Sequence, residues 1–80
     1  MRVLIIEDDP TLNNNIKEAL TAENWNAESV FDGLLAERLL KKETFDCIIK
    51  DINLPGKTGF NPEFYTPFVA LLKGFDRSKR

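Results

Sequence analysis

The run Val3-Leu4-Ile5-Ile6 restricts this chain more than any other feature. It is apolar throughout, mostly β-branched, and stopped at once by Glu7-Asp8-Asp9. A strand with one wet face alternates apolar and polar residues. An unbroken apolar run between charges reads instead as a strand buried on both faces, the arrangement of parallel sheets covered by helices on either side. The run is far short of the ~20 residues of a membrane span, as is Phe68-Val69-Ala70-Leu71-Leu72. It also lacks the longer apolar core and small-residue cleavage site of a signal peptide. A soluble, cytoplasmic protein without a membrane partner is expected.

The rest of the chain supplies what such a strand needs. Asp9-Pro10 reads as a helix start, with Asp9 as N-cap and Pro10 in the first helical position. Leu12, Ile16, Ala19 and Leu20 recur at helical spacing, with Asn13, Asn14, Lys17 and Glu18 on the other side, which predicts a helix over 10–23. Trp25 to Phe31 alternates loosely and predicts a shorter second strand, with Trp25 partly in the core against the first helix. Asp32-Gly33 punctuates. Leu35, Ala36, Leu39 and Leu40 then mark a second amphipathic helix. Phe45 to Asp51 predicts a third strand, buried at its centre, with Lys50 and Asp51 on opposite faces. The order β-α-β-α-β with short loops predicts an α/β layer with a parallel sheet and right-handed crossovers. Beyond the Pro55-Gly56 and Gly59 loop the pattern weakens. Pro62 and Pro67 interrupt it, Phe60, Phe64, Phe68 and Phe75 read as core filler, and the basic tail from Lys73 to Arg80 is expected to fray.

Composition narrows the chemistry. The chain has 80 residues, 11 Lys+Arg against 13 Asp+Glu, a net charge of −2 and no histidine. Histidine-based metal sites and Ser-His catalysis are thereby excluded. The slight acidity offers no general attraction to nucleic acid. The single Cys47 rules out an internal disulfide and, placed mid-strand, reads as an inert buried thiol.

Parallel α/β sheets carry their sites at the carboxyl ends of the strands. Here the first strand ends in Glu7-Asp8-Asp9 and the third at Asp51. Adjacent strands would bring three or four carboxylates to one edge, where they repel one another. A hard divalent cation such as Mg²⁺, which takes oxygen ligands, is the natural occupant. A carboxylate beside it can act as a nucleophile toward a phosphoryl group. Asp9 suits the helix cap, while Glu7 and Asp8 suit the metal.

These residues resemble a known family. Val3 to Asp9, Asp32-Gly33 with Ala36, Phe45-Asp46, Ile48-Ile49, and above all Asp51-Ile52-Asn53-Leu54-Pro55-Gly56-Lys57-Thr58-Gly59 are similar to the receiver domain of two-component response regulators. The resemblance covers residues 1–60, with 61–80 divergent. It implies a flavodoxin-like α/β fold of the CheY-like kind, as a single truncated unit: a parallel sheet in the order 2-1-3, helices on both faces, and a partial fourth strand over Thr66 to Leu71. It further implies that Asp51 is the phosphoacceptor, that Asp8 binds Mg²⁺ directly and Glu7 through a coordinated water, and that the Asn53 carbonyl completes the protein ligands. The phosphoryl donor would be a phosphohistidine on a sensor histidine kinase.

The departures from the family matter as much. The complete fold has five strands, ordered 2-1-3-4-5. Its switch hydroxyl would fall here on Leu72, and the lysine at the end of its fifth strand has no counterpart. Residues 52–67 leave no room for a full third helix. Phosphoryl transfer needs only residues 7, 8, 51 and 53, so it could survive, whereas the conformational response could not. The chain also admits a second reading: a phosphorylation-incompetent interaction module, its third strand an open edge inviting a homodimer or domain swap. A flavodoxin-like flavin or phosphate binder fits less well, because its helix N-terminus must be free of anions. No nucleic-acid-binding segment is present.

Overall fold

A computed structural model describes residues 1–50 and, for the backbone, 69–71. The elements are β1 (Arg2–Ile6), α1 (Pro10–Ala22), β2 (Asn26–Val30), α2 (Gly33–Leu40), β3 (Cys47–Lys50) and β4 (Val69–Leu71). The strands form one parallel sheet in the order β2-β1-β3-β4. Asp51, Asn53, the loop after them, Leu72, the phenylalanines at 60, 64, 68 and 75 and the basic tail lie outside the described residues.

β1 is the axis. Val3, Leu4, Ile5 and Ile6 have no exposed surface, as the unbroken apolar run requires. The crossover through α1 steps outward from β1 to β2, and that through α2 steps back past β1 to β3. Because parallel crossovers are right-handed, opposite steps put the helices on opposite faces. The side chains agree. Leu4, Ile6 and Ile48 join Ala36 and Leu40 of α2 and Phe45 in one buried cluster, edged by Val30 and Leu39. Val3 and Ile5 alternate to the other face, where α1 packs across β1 and β2.

The helix ends are set by local chemistry. Asp9 is the N-cap of α1, its Oδ1 accepting from the Leu12 N–H at 3.0 Å, with Pro10 at the first helical position. Asp32, which the sequence marks only as punctuation, caps α2 in the same way through the Leu35 N–H at 2.8 Å. At the far end of α1 the chain reverses through Asn24 at φ 66°. The Trp25 N–H donates to the Leu20 carbonyl and the Asn24 N–H to the Thr21 carbonyl. This is a Schellman motif with asparagine in the left-handed position.

Several expectations are corrected. The buried stripe of α1 is rotated: Leu12 and Asn13 are buried, Ile16 and Leu20 half-buried, and Ala19 exposed. Asn13, assigned to the polar side, is therefore interior. Leu35 is 45% exposed, next to exposed Leu34 and Phe31, and Trp25 is 38% exposed. Cys47 is half-buried. β3 is not an open edge, since β4 pairs with it from Ile48↔Val69 to Lys50↔Leu71. A homodimer or domain swap through β3 loses its premise. Among the described residues the outer strands are β2 and β4.

The amino end of the sheet is tied by Arg2. Its guanidinium donates to Glu43 at 2.8 Å, to the Thr44 carbonyl at 2.9 Å and to Glu28 at 3.2 Å, and lies 4.4 Å from the centre of the Phe45 ring. The hydrogen bond to Glu43, ahead of that to Glu28, holds its pKa above the usual arginine value. Among the described residues no helix is long and apolar enough to cross a membrane.

Ile48→Ala is expected to cost about 2–5 kcal/mol, a large share of the thin margin of so short a chain, as read by urea unfolding. Asp9→Ala should cost about 1 kcal/mol through the lost cap. Asn24→Val should cost about 1–2 kcal/mol through the left-handed backbone, while Asn24→Gly leaves the unfolding midpoint unchanged or slightly raised.

Candidate functional site

The carboxyl ends of the strands lie on one level. Ile6 pairs with Val30 on one side and Lys50 on the other, and Lys50 pairs with Leu71. Each of these is the last residue of its strand. The segments that continue from β1 and from β3 therefore leave the sheet from one edge, which is where a parallel sheet presents a site. Lys50 shares its face with Ile48 and Ile6, the α2 side of the sheet, by alternation.

Between β1 and α1 the chain has only Glu7, Asp8 and Asp9. Glu7 has no exposed surface, Asp8 is exposed and Asp9 half-buried. A buried carboxylate is costly unless hydrogen-bonded or paired. Glu7 Oε2 accepts from the Asp9 N–H at 2.6 Å, a short charge-assisted contact across the turn. The Glu7 N–H donates to the Val30 carbonyl at 3.2 Å, extending the bonding to β2 beyond the strand.

Asn13 closes the turn from above. Its Nδ2 donates to the Glu7 carbonyl and to the Val30 carbonyl, each at 3.0 Å, and its own N–H donates to the Asp9 carbonyl at 2.9 Å. Asn13 is 1% exposed. Its role is hidden in the sequence because asparagine in a run of three reads as a solvated helix face. One signal was available: position 13 lies three residues before Ile16 and next to Leu12, inside the arc that a helix buries.

Of the residues expected to form the site, the structure brings Glu7 and Asp8 to the sheet edge and gives Asp9 to the helix cap. Asp51 and Asn53 lie outside the described residues, one and three positions past the end of β3. Among the described residues, no group of three or more acidic, cysteine or histidine side chains gathers to hold a metal. The donors that are present fit Mg²⁺ in kind. They are hard carboxylate oxygens, one buried at the strand end and one beside it open to solvent, with no nitrogen or sulfur ligand nearby in sequence.

The response regulator receiver domain family matches residues 3–62. Response regulator protein PmrA of Pseudomonas aeruginosa is 39% identical over 61 residues, 76% of this chain and 28% of that protein. The transcriptional regulatory protein TctD of Salmonella typhimurium is 39% identical over 59 residues, 74% of this chain and 26% of that protein. The transcriptional regulatory protein TrcR of Mycobacterium tuberculosis is 35% identical over 78 residues, 89% of this chain and 30% of that protein. The chain thus spans less than a third of these relatives. Among solved structures, the chemotaxis response regulator CheY4 of Vibrio cholerae superposes with a TM-score of 0.66 at 31% identity, covering 72% of this chain and 48% of that one. The non-phosphorylated HemR receiver domain from Leptospira biflexa gives 0.69 over 98% of this chain and 69% of that one; its 23% identity speaks for the fold alone. A parallel sheet with β1 between β2 and β3, an acidic turn at its carboxyl edge, and a family match over most of its length make this chain a member of the response regulator receiver domain family of two-component systems.

Proposed function

We propose that this chain accepts a phosphoryl group on Asp51, with Mg²⁺ held by Glu7, Asp8, Asp51 and the Asn53 carbonyl, from a phosphohistidine on a sensor histidine kinase. The observation that carries this reading is the level carboxyl edge. β1 and β3 end in register at Ile6 and Lys50, so the acidic turn begins at the same level of the sheet as the residue that precedes Asp51 in sequence.

In this reading the Asp51 carboxylate is the nucleophile. A P–O bond to it forms as the P–N bond of the donor histidine breaks, giving an acyl phosphate. Bound Mg²⁺ supplies charge neutralisation for the transferring phosphoryl oxygens. Asp8, exposed at the edge, would hold the ion directly, and buried Glu7 would act on it through a water. Asp9 is assigned to the helix cap and not to the ligand set, which its Oδ1, accepting from the Leu12 N–H, supports. The protein is a phosphoacceptor in a signalling pathway and works in the cytoplasm. The alternative is a phosphorylation-incompetent receiver fragment that acts as a protein–protein interaction module or dimerising scaffold; pairing through an open β3 edge is the one form of it that β4 disfavours.

The test is a Mg²⁺ titration followed by backbone NMR, with and without beryllofluoride as a phosphoryl mimic. Shifts at Asp8 and Asp51 with Mg²⁺, changing again with the mimic, are expected. Asp8→Ala should weaken Mg²⁺ strongly, and Asp9→Ala should leave it unchanged; equal losses would shift the ligand assignment by one residue. Asp51→Asn should abolish the response to beryllofluoride, and a response that persists in that variant refutes the phosphoacceptor assignment.

A further inference from the structure

Among the described residues two polar side chains are buried, Glu7 and Asn13, and they belong to one hydrogen-bonded unit. We propose that Asn13 is a positioning residue for the acidic pair. Its amide fixes the peptide joining Glu7 to Asp8, so that the Asp8 carboxylate leaves the strand end in a set direction before a cation arrives. This inference rests on the reading of Glu7 and Asp8 as cation ligands.

The peptide plane makes the link. The carbonyl of Glu7 and the N–H and Cα of Asp8 lie in one rigid unit. Anchoring that carbonyl at 3.0 Å to Asn13 Nδ2 therefore fixes the orientation of the Asp8 backbone. The same Nδ2 binds the Val30 carbonyl at 3.0 Å, which also receives the Glu7 N–H at 3.2 Å. The anchor is thus tied to the end of β2 as well as to α1. On the far side of Asp8, the Asp8–Asp9 peptide is held through the Asp9 N–H on Glu7 Oε2, and the peptide after it through the Asp9 carbonyl, which accepts from the Asn13 N–H. Asp8 sits between two immobilised peptides while its own side chain faces solvent.

The choice of residue is otherwise hard to explain. Asparagine is a poor helix former, and the neighbouring buried position, Leu12, shows that this face of α1 accepts an apolar side chain. Asn13 Oδ1 is buried with no hydrogen-bond partner among the described residues, a cost that a purely packing role would not require. What asparagine provides is a short amide able to reach two carbonyls where the β1–β2 ladder ends. Groups that orient metal ligands in this manner typically govern affinity by about 10- to 100-fold, because a set geometry leaves less freedom to lose on binding.

The test is titration of the 80-residue chain with Mg²⁺ alone, comparing wild type with Asn13→Leu, Asn13→Ser and a control, Asn24→Val, which destabilises the opposite end of α1. Both Asn13 variants should bind Mg²⁺ about tenfold more weakly, and Asn24→Val should bind as wild type does. Wild-type affinity in a folded Asn13 variant overturns the proposal and leaves the acidic pair in place. A comparable loss in Asn24→Val overturns it too, because the loss would then report stability. Failure of wild type to bind Mg²⁺, or binding indifferent to Asp8→Ala, removes the acidic-pair reading and this one with it. The wild-type chain also decides without variants: the Asp8 amide order parameter without Mg²⁺ should be near the ~0.85 of rigid backbone, and a value below ~0.6 refutes preorganisation.

Discussion

Val3 to Ile6 are wholly buried and paired on both edges, and that double constraint organises everything else. A strand without solvent on either face must have a strand at each side and a helix above and below. The chain meets this with β2, β3, α1 and α2, using two right-handed crossovers that step in opposite directions. Because β1 is central, its last residue sets the rung on which its neighbours stop. The level carboxyl edge is a consequence of that pairing, and the acidic turn is placed there by being next in sequence.

Where the sequence was legible, a local rule spoke alone. The apolar run, the Asp9-Pro10 start of α1 and the apolar centre of β3 each follow from one stretch of residues, and the structure agrees with them to within a residue or two. Where it misled, a tertiary contact overrode the local rule. Asn13 is polar by composition but buried, because its amide donates to the Glu7 and Val30 carbonyls at the end of the ladder. Leu35 sits at apolar spacing, yet α2 is short and turns Ala36 and Leu40 inward in its place. Asn24 gives no periodic signal; its role appears only once the two Schellman bonds are seen. The cover on β3 comes from residues far along the chain, where Pro62 and Pro67 break the local period and the fourth strand over Thr66 to Leu71 was legible only through the family resemblance.

The candidate site was legible in part for the same reason. Glu7 and Asp8 are adjacent in sequence and precede a capped helix, so their placement follows from local structure alone. The short distance from Glu7 Oε2 to the Asp9 N–H shows that the turn itself meets part of the hydrogen-bonding need of its buried carboxyl. The same bond separates the roles of the three acids. One is buried and held by the backbone, one faces water, and one caps the helix. Three consecutive carboxylates thus become three different chemical groups through their neighbours, a distinction composition cannot draw.

The Arg2 cluster has a consequence for how charge can change in this molecule. It gathers Glu28, Glu43 and the Phe45 ring at the amino end of β1, five residues from Glu7, or about 16 Å along an extended strand. That exceeds the ~8–10 Å over which salt screens exposed charges at ordinary ionic strength. Exposed Asp8 and the Glu28 and Glu43 partners of Arg2 therefore act on each other weakly, while buried Glu7 is less screened. Salt that weakens the Arg2 ion pairs leaves the backbone bonds of the acidic turn in place. The ion pairs that clasp the amino edge and the carboxylates of the opposite edge thus stand at separate ends of one buried strand, so a change at either end reaches the other chiefly through β1 itself.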